Sequence, residues 1–303
     1  MGILHDRCGC ADLLALFRLR RIMKNLLPVL VLPGLLVLAA AQIPKAAPVE
    51  IELLTHTEIH DAIHNHGKTT VLIFNGGTEQ RGPHAVLGGH TFIAREVASR
   101  IAQKLGNALV APVLPFSITT VDEKMPGGVT LTSELFKRVN EAVVDSMVKN
   151  GFKDLILMGD HGVGQKELAD LAVVLDRRYA PRGVHVYFCG DVYEKSEQEF
   201  DAYIKSKGLP PSTHGGIPDT SELLALQPAP AVWVRDNYKT TVGDPVLPTG
   251  QQPDPKVRRL NNGITGDPRL STAELGRIFI DIRVRNAVTQ IQSLIGSKRG
   301  SAR

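Results

Sequence analysis

Residues 75–90 read NGGTEQRGPHAVLGGH and separate two apolar segments. The segment before them, residues 70–74, is rich in β-branched, aliphatic and aromatic side chains, which predicts a buried strand. The segment after them, residues 93–105, repeats apolar side chains at helical spacing, which predicts a helix. Five glycines and one proline predict a loop between the two. This glycine-rich loop therefore follows the carboxyl end of a strand, where ligands bind in open α/β sheets.

The same succession of strand and helix continues along the chain. Further strands are predicted at residues 108–113, 154–158, 184–188 and 231–234. Further helices are predicted at residues 133–150, at residues 165–179 and from residue 272 onward. Strands that alternate with helices form parallel sheets with right-handed crossovers. We therefore expect an α/β fold, a three-layer sandwich with a mainly parallel central sheet flanked by helices.

The chain of 303 residues divides into four predicted segments. Residues 1–41 are an amino-terminal extension plus signal peptide, because residues 23–41 combine a basic start, an apolar run and an Ala-x-Ala ending. Residues 42–50 are a linker, 51–295 a single α/β domain and 296–303 a basic, disordered tail. The signal predicts export to the periplasm or the exterior, with no stable membrane span after cleavage. An uncleaved amino-terminal anchor is the alternative.

The net charge of the domain gives no reason to expect nucleic acid as a partner. The whole chain has 35 Lys+Arg and 31 Asp+Glu, of which residues 1–41 hold five and two. The remainder has 30 basic and 29 acidic residues, a formal charge of +1, which does not attract a polyanion. One cysteine, Cys189, lies beyond residue 41, so no disulfide can form within that part. A domain of this length buries enough apolar surface without one.

Three glycine-framed loops carry ionisable side chains. These are Glu79, Arg81, His84 and His90 in the glycine-rich loop, His161 in residues 159–164, and His214 and Asp219 in residues 214–221. Because the carboxyl ends of parallel strands share one edge of the sheet, we expect Glu79, His90 and His161 to converge. One carboxylate and two imidazoles suit Zn, Fe, Mn or Co, with positions left open for water and substrate. Such an ion can activate water and polarise a carbonyl group.

The motif Glu79-Gln80-x-Gly82-Pro83-His84 and its surroundings resemble the creatininase (creatinine amidohydrolase) family of metal-dependent amidohydrolases. Segments 126–127, 159–162, 214–221 and 266–268 fit the family pattern as well, so the resemblance covers most of residues 51–294. It implies a creatininase-like fold for the single domain and a small-molecule amide as substrate. It also implies a homo-oligomer, since hexamers are common in the family.

The resemblance implies roles for individual residues. Glu79 and His161 match two metal ligands of the family, and His214 matches a histidine that contacts the substrate. His90 stands where the family has an aspartate that bridges two metals, and Asp219 stands at the position of a glutamate that often binds metal. Arg81 stands where the family has a ligand histidine, and arginine cannot coordinate a cation.

These departures predict that the second of two metal sites is lost. We expect one divalent metal per chain, Zn, Mn or Fe, held by Glu79, His90 and His161. Asp219 is either a fourth ligand or the ion-pair partner of Arg81. Arg81 is either the charge that replaces the second cation or a clamp for a substrate carboxylate.

The expected activity is hydrolysis of C–N amide bonds, cyclic amides included, by metal-activated water. His214, Arg81 and Asp219 are the expected catalytic residues, with His214 passing a proton to the leaving nitrogen. Two alternatives stay open. One is a small-molecule-binding protein that has lost catalysis on the same fold. The other is a mononuclear metal isomerase, because two histidines and one carboxylate also serve open-site iron enzymes.

Overall fold

A sheet of four parallel strands lies at the centre of the computed structural model, which describes residues 48–248 and 250–301. The strands are β1 (Thr70–Asn75), β2 (Ala108–Val110), β3 (Asp154–Gly159) and β4 (His185–Phe188), in the order β2-β1-β3-β4. Every residue of β1, β2 and β3 is buried. Burial on both faces of the sheet explains why these strands have uninterrupted apolar sequences.

Helices cover the sheet on both faces. In the described residues they are α1 (His56–His64), α2 (Gly89–Leu105), α3 (Ser133–Lys149), α4 (Gln165–Tyr179), α5 (Glu194–Ser206), α6 (Ile217–Leu226) and α7 (Ala273–Ser301). Helices α3 and α4 contact each other, whereas α2, α6 and α7 form a second group. The predicted α/β sandwich with a parallel central sheet is therefore confirmed.

The connections reverse their direction across the sheet at the junction of β1 and β3. Strand β1 leads through α2 to β2 at one edge, whereas β3 leads through α4 to β4 at the other. Asn75, the last residue of β1, pairs in register with Gly159, the last residue of β3. A crevice opens at such a point, outside the carboxyl ends of the strands. The glycine-rich loop and the loop that starts at Asp160 both begin there.

Helix α7 packs unusually close to α6 because Gly276 has no side chain. A Cβ atom on Gly276 would lie 1.9 Å from the carbonyl oxygen of Ser221, so only glycine fits at this crossing. A small hydrophobic core then joins α5, α6 and α7, formed by Phe200, Ile204, Ile217, Leu275, Phe279 and Ile282. The packing also buries a charged residue of α7, Arg283, whose side chain is 2% exposed.

The predicted strand at residues 231–234 is wrong. Val234 forms only an isolated antiparallel bridge with Ala85. The carbonyl oxygen of Trp233 accepts from the Val86 N–H at 3.0 Å, and the indole stacks on Phe92 with ring centroids 4.4 Å apart. The N–H groups of Trp233 and Val234 both donate to Gln227 Oε1 at 3.3 Å. The backbone of this segment is thus bonded to the glycine-rich loop and to Gln227 just after α6, not to the sheet.

Two other boundaries differ from the expectation. The second strand ends at Val110 instead of residue 113. The last helix continues to Ser301, whereas the sequence predicts a disordered tail from residue 296. One reason is that Lys298 does not extend freely into solvent, since its Nζ lies 2.8 Å from Asp176 Oδ2 on α4. The predicted signal peptide and most of the predicted linker lie outside the described residues. None of the helices in residues 48–248 and 250–301 combines the length and apolar character needed to cross a membrane.

Candidate metal centre

Three side chains from separate elements meet at the crevice. Glu79 lies in the glycine-rich loop after β1, His90 in the first turn of α2, and His161 in the loop after β3. Glu79 Oε1 is 2.9 Å from His90 Nε2, and Glu79 Oε2 is 2.7 Å from His161 Nε2. Their ligand atoms all lie within 4.8 Å of one another. The structure thus brings together the three residues predicted to hold a cation.

The Glu79 carboxylate is buried and fully engaged. Besides the two imidazoles, it accepts a hydrogen bond on Oε2 from the Thr119 hydroxyl. Burial opposes its ionisation, but the hydrogen bonds and charges of His161 and His90 hold the pKa of Glu79 well below its usual range. Glu79 therefore presents a negative charge to the site, as a metal ligand must.

The surroundings of His90 fit a cation at its Nε2 atom. Nδ1 lies 2.7 Å from Asp160 Oδ2 and donates to it, so a neutral ring points a lone pair at Glu79. A lone pair facing a carboxylate oxygen is repulsive unless a proton or a cation lies between them. Burial and the charge of Arg81 oppose protonation, yet the hydrogen bonds to Asp160 and Glu79 raise the pKa of His90. A divalent cation can take the place of that proton.

His161 is held differently. Its Nδ1 lies 3.0 Å from the backbone nitrogen of Val163 and 3.2 Å from the carbonyl oxygen of the same residue. The backbone can therefore support either tautomer, including the one that leaves Nε2 free for a metal.

His214 closes another side of the centre. Its Nε2 donates to the carbonyl oxygen of Gln80 at 2.7 Å, which leaves Nδ1 as the acceptor, 3.4 Å from Glu79 Oε1. Burial, assisted by the charge of Arg81 and opposed by those of Asp219 and Glu79, lowers the pKa of His214. At neutral pH the ring is thus a free base whose Nδ1 faces the centre, as proton transfer requires.

Arg81 and Asp219 form a buried ion pair behind the three ligands. Arg81 Nη1 lies 2.7 Å from Asp219 Oδ2, and their side chains are 0% and 13% exposed. Asp219 Oδ2 also accepts from the Gly215 N–H at 2.7 Å. Of the two roles predicted for Asp219, the structure shows that of Arg81 partner. Because Arg81 has no exposed surface, it does not reach the cavity as a substrate clamp would.

His84, the fourth ionisable residue of the glycine-rich loop, lies away from the centre. It is fully buried, and its Nε2 is 2.8 Å from the hydroxyl oxygen of Thr220 on α6. Burial lowers the pKa of His84 to about 4, so the ring is neutral. It anchors the loop to α6.

A group of charged residues that the three glycine-framed loops do not predict lies behind and beside the centre. Asp160 contacts His90, and Arg283 of α7 contacts Asp160, Glu222 and Glu197. One signal was available, because Arg283 interrupts the apolar stripe of the last helix. A charged residue at a core position of an amphipathic helix indicates a buried partner.

A cavity of about 400 Å³ opens in front of the centre. Glu79, His90, His161 and His214 line one side of it, and Tyr193, Glu197 and Asp201 of the α5 region line another. Burial, with the charges of Asp219 and Asp201 adding to it against Arg283, raises the pKa of Glu197 to about 7. The cavity therefore contains a carboxyl group that titrates near neutral pH.

The pKa of Glu197 predicts how stability depends on pH. From about pH 4.5 to about 7 the folded state holds a proton that the unfolded state releases, so this group destabilises the fold as pH rises. The unfolding free energy of Glu197→Gln, compared with that of the parent protein, should therefore rise by roughly 2 kcal/mol when the pH is raised from 5 to 8. Denaturant unfolding with a chelator present measures the difference.

Glu199→Gln on the same helix is the control. The hydrogen bond from Asn286 is the main cause that lowers the pKa of Glu199; burial opposes it, and Arg285 lowers the pKa further. That carboxylate is thus ionised in both states at pH 5 and pH 8, and its substitution should change stability equally at both. If the unfolding free energies of Glu197→Gln and Glu199→Gln changed equally between pH 5 and pH 8, the raised pKa of Glu197 would be contradicted.

The chain is similar to creatininases along most of its length. The family model for creatininase, described as creatinine amidohydrolase, matches residues 52–291. The crystal structure of a creatinine amidohydrolase (creatininase) superposes with a TM-score of 0.66 at 20% sequence identity, covering 82% of this chain and 98% of that one. Creatininase structures in a manganese form and in a mutant form of zinc–zinc type each superpose with a TM-score of 0.64 at 20% identity, over 82% of this chain and 98% of theirs.

One curated relative has a different name. It is 3-dehydro-scyllo-inosose hydrolase of Thermotoga maritima, 30% identical over 92 residues. The match covers 30% of this chain and 30% of that protein, so it spans under a third of the relative's length.

Proposed function

Because the chain belongs to the creatininase family, we propose that it is a metal-dependent hydrolase of C–N bonds in small amides, cyclic amides included. The observation that carries the proposal is the cluster of Glu79, His90 and His161, whose ligand atoms lie within 4.8 Å of one another at the wall of the cavity. The similarity to a protein named as a hydrolase supports the reaction class. The substrate is a small molecule, as the cavity volume of about 400 Å³ suggests.

A single cation is what this site supports best. The ion pair of Arg81 and Asp219 lies where the family resemblance would require a histidine and a carboxylate to hold a second ion. The guanidinium cannot coordinate, and Asp219 Oδ2 already accepts from Gly215 and faces Arg81. Zinc and manganese, which solved creatininase structures name, and iron all suit one carboxylate and two imidazoles.

The residues of the chain divide the chemistry between them. A divalent ion held by Glu79, His90 and His161 would activate a water molecule and polarise the substrate carbonyl. In hydrolysis the water oxygen bonds to the carbonyl carbon, the C–N bond breaks and the leaving nitrogen takes up a proton. His214 is neutral and directs Nδ1 towards the centre, so it would accept a proton from water and return it to that nitrogen. The hydrogen bond from Nε2 to Gln80 keeps the ring in the required tautomer.

Metal analysis and a substrate screen test the proposal. Residues 42–303, purified and loaded with Zn²⁺ or Mn²⁺, should retain about one ion per chain, the count that one open three-ligand site predicts. They should hydrolyse at least one member of a panel of lactams, cyclic ureides and linear amides. A chelator should abolish turnover, and added metal should restore it. Two tightly bound ions would refute the role of Arg81, whereas one ion without hydrolysis of any amide would refute the reaction.

A second candidate is a binding protein without catalysis. The observation that favours it is Arg81, whose buried guanidinium stands at a ligand position of the family. This candidate predicts that panel compounds bind unchanged and that no tightly bound metal is present. The same experiments therefore separate the two functions.

A further inference from the structure

We propose that Asp160 and Arg283 are positioning residues that make His90 a metal ligand. The inference rests on the proposed metal-dependent function and extends it to residues outside the ligand set. Asp160 would fix the tautomer and the orientation of the His90 ring, and Arg283 would fix Asp160.

The contact between Asp160 and His90 has the geometry that this role needs. His90 Nδ1 and Asp160 Oδ2 are 2.7 Å apart, and their side chains are 9% and 0% exposed. With Nδ1 donating to Asp160, Nε2 is the only ring atom left to bind a cation, and it is the atom that faces Glu79. A carboxylate behind a ligand histidine also increases the basicity of the metal-bound nitrogen.

Arg283 is held from several sides. Its Nη1 donates to Asp160 Oδ1, its Nη2 lies 3.2 Å from Glu197 Oε1, and its Nε lies 3.3 Å from Glu222 Oε1. Its guanidinium carbon lies 4.5 Å from the centre of the Phe279 ring. A buried carboxylate such as Asp160 needs a counter-charge, and Arg283 supplies it from the last helix.

The two imidazole ligands differ in this respect. His161 Nδ1 meets only the backbone of Val163, at 3.0 Å and 3.2 Å. His90 alone of the two has a carboxylate at Nδ1. The orientation of the His90 ring therefore depends on the contact between Asp160, in the loop after β3, and Arg283 of α7. These two segments pack together only in the folded chain.

The experiment measures Zn²⁺ affinity, with amide hydrolysis recorded separately. Metal-free protein is titrated with Zn²⁺ against a chelator of known affinity for Asp160→Ala, Asp160→Asn and Arg283→Met. Asp160→Ala and Arg283→Met should weaken Zn²⁺ binding by about 10- to 100-fold. Asp160→Asn should lose less, because its amide oxygen can still accept from Nδ1. In the ¹⁵N-histidine-labelled Zn²⁺ form, the His90 Nδ1–H signal should be protected in the parent and lost in Asp160→Ala.

Arg285→Met is the matched control. Arg285 also lies on α7 and also pairs with a carboxylate of α5, Glu199, but on the surface. Its substitution should leave the Zn²⁺ dissociation constant within about twofold of the parent, since exposed ion pairs contribute little. Should Arg283→Met fail to fold, the two Asp160 variants decide.

Two results would overturn the inference. One is a Zn²⁺ affinity of Asp160→Ala within twofold of the parent value. The other is a loss of Zn²⁺ affinity in Arg285→Met as large as that in Arg283→Met. Failure of the parent to hydrolyse any amide would leave the affinity comparison intact, so the inference and the proposed reaction can fail independently. A parent that binds no Zn²⁺ would overturn both.

Discussion

Glu79→Gln should lower the rate constant kcat/KM for amide hydrolysis by about 10³-fold or more, because the metal that activates water would no longer be held. The Glu79 carboxylate lies 2.9 Å from His90 Nε2 and 2.7 Å from His161 Nε2, so Glu79 is the ligand that contacts both imidazoles. The amide of glutamine has no charge for the cation, and its NH₂ group would donate to an imidazole nitrogen instead. Initial rates on any amide the parent hydrolyses, together with the metal content of the same sample, measure the effect.

Glu123→Gln provides the comparison for this variant. Glu123 is exposed in the loop that precedes α3 and belongs to neither the ligands nor the cavity wall. It should keep the parent rate and one ion per chain. If Glu79→Gln kept its ion and more than a tenth of the parent rate, the centre would not be the site of catalysis.

Arg81→Met should destabilise the folded protein by about 3–5 kcal/mol at pH 7, because it leaves a buried carboxylate without its partner. Burial opposes ionisation of Asp219, and the charge of Arg81 is the leading influence that holds its pKa well below the usual range. Arg81 is itself sparsely satisfied among the described residues, since its Nε, Nη1 and Nη2 all lack a regular hydrogen bond and only Nη1 forms an ion pair. Chemical denaturation of the metal-free protein measures the loss.

A second substitution and a surface pair sharpen this measurement. Asp219→Asn added to Arg81→Met removes the uncompensated charge and keeps an acceptor for the Gly215 N–H, so the double variant should recover about half of the loss or more. Arg269→Met breaks an exposed Arg–Asp pair, in which Arg269 Nη2 lies 2.7 Å from Asp267 Oδ2. It should cost far less than Arg81→Met, because exposed ion pairs contribute little to stability. A loss in Arg81→Met as small as that in Arg269→Met would show that the buried pair is not needed for stability.

The part of the site that could be predicted is the part that local sequence dictates. A continuous apolar run fixes a buried parallel strand, and a glycine-framed residue directly after it must lie at the carboxyl edge of the sheet. These two patterns alone predict that Glu79 and His161 meet, although they are 82 residues apart in the chain. His90 is predicted to lie at the same edge because it stands at the start of the next helix.

The missed residues depend on tertiary packing that no local pattern encodes. Asp160 is next to His161 in the sequence, but its role is defined by two partners, His90 and Arg283, that are 70 and 123 residues away. The wrong strand at residues 231–234 has a similar cause. Its four consecutive apolar residues, AVWV, are typical of a strand. In the fold the Trp233 ring packs on Phe92 of α2 and Val234 forms a single bridge with Ala85, an arrangement that the sequence cannot distinguish from a strand.

The wide separation of the ligands along the chain has a thermodynamic consequence. An ion that needs both Glu79 and His161 as ligands can bind only after the sheet has formed, so it would bind the folded state and not the unfolded chain. Each ion that binds the native state alone adds RT ln(1 + [M]/Kd) to its stability, about 2.7 kcal/mol when free metal exceeds Kd a hundredfold. The stability of this protein should therefore depend on the concentration of free metal in its surroundings. A low metal concentration would lower the free energy of unfolding as well as the activity.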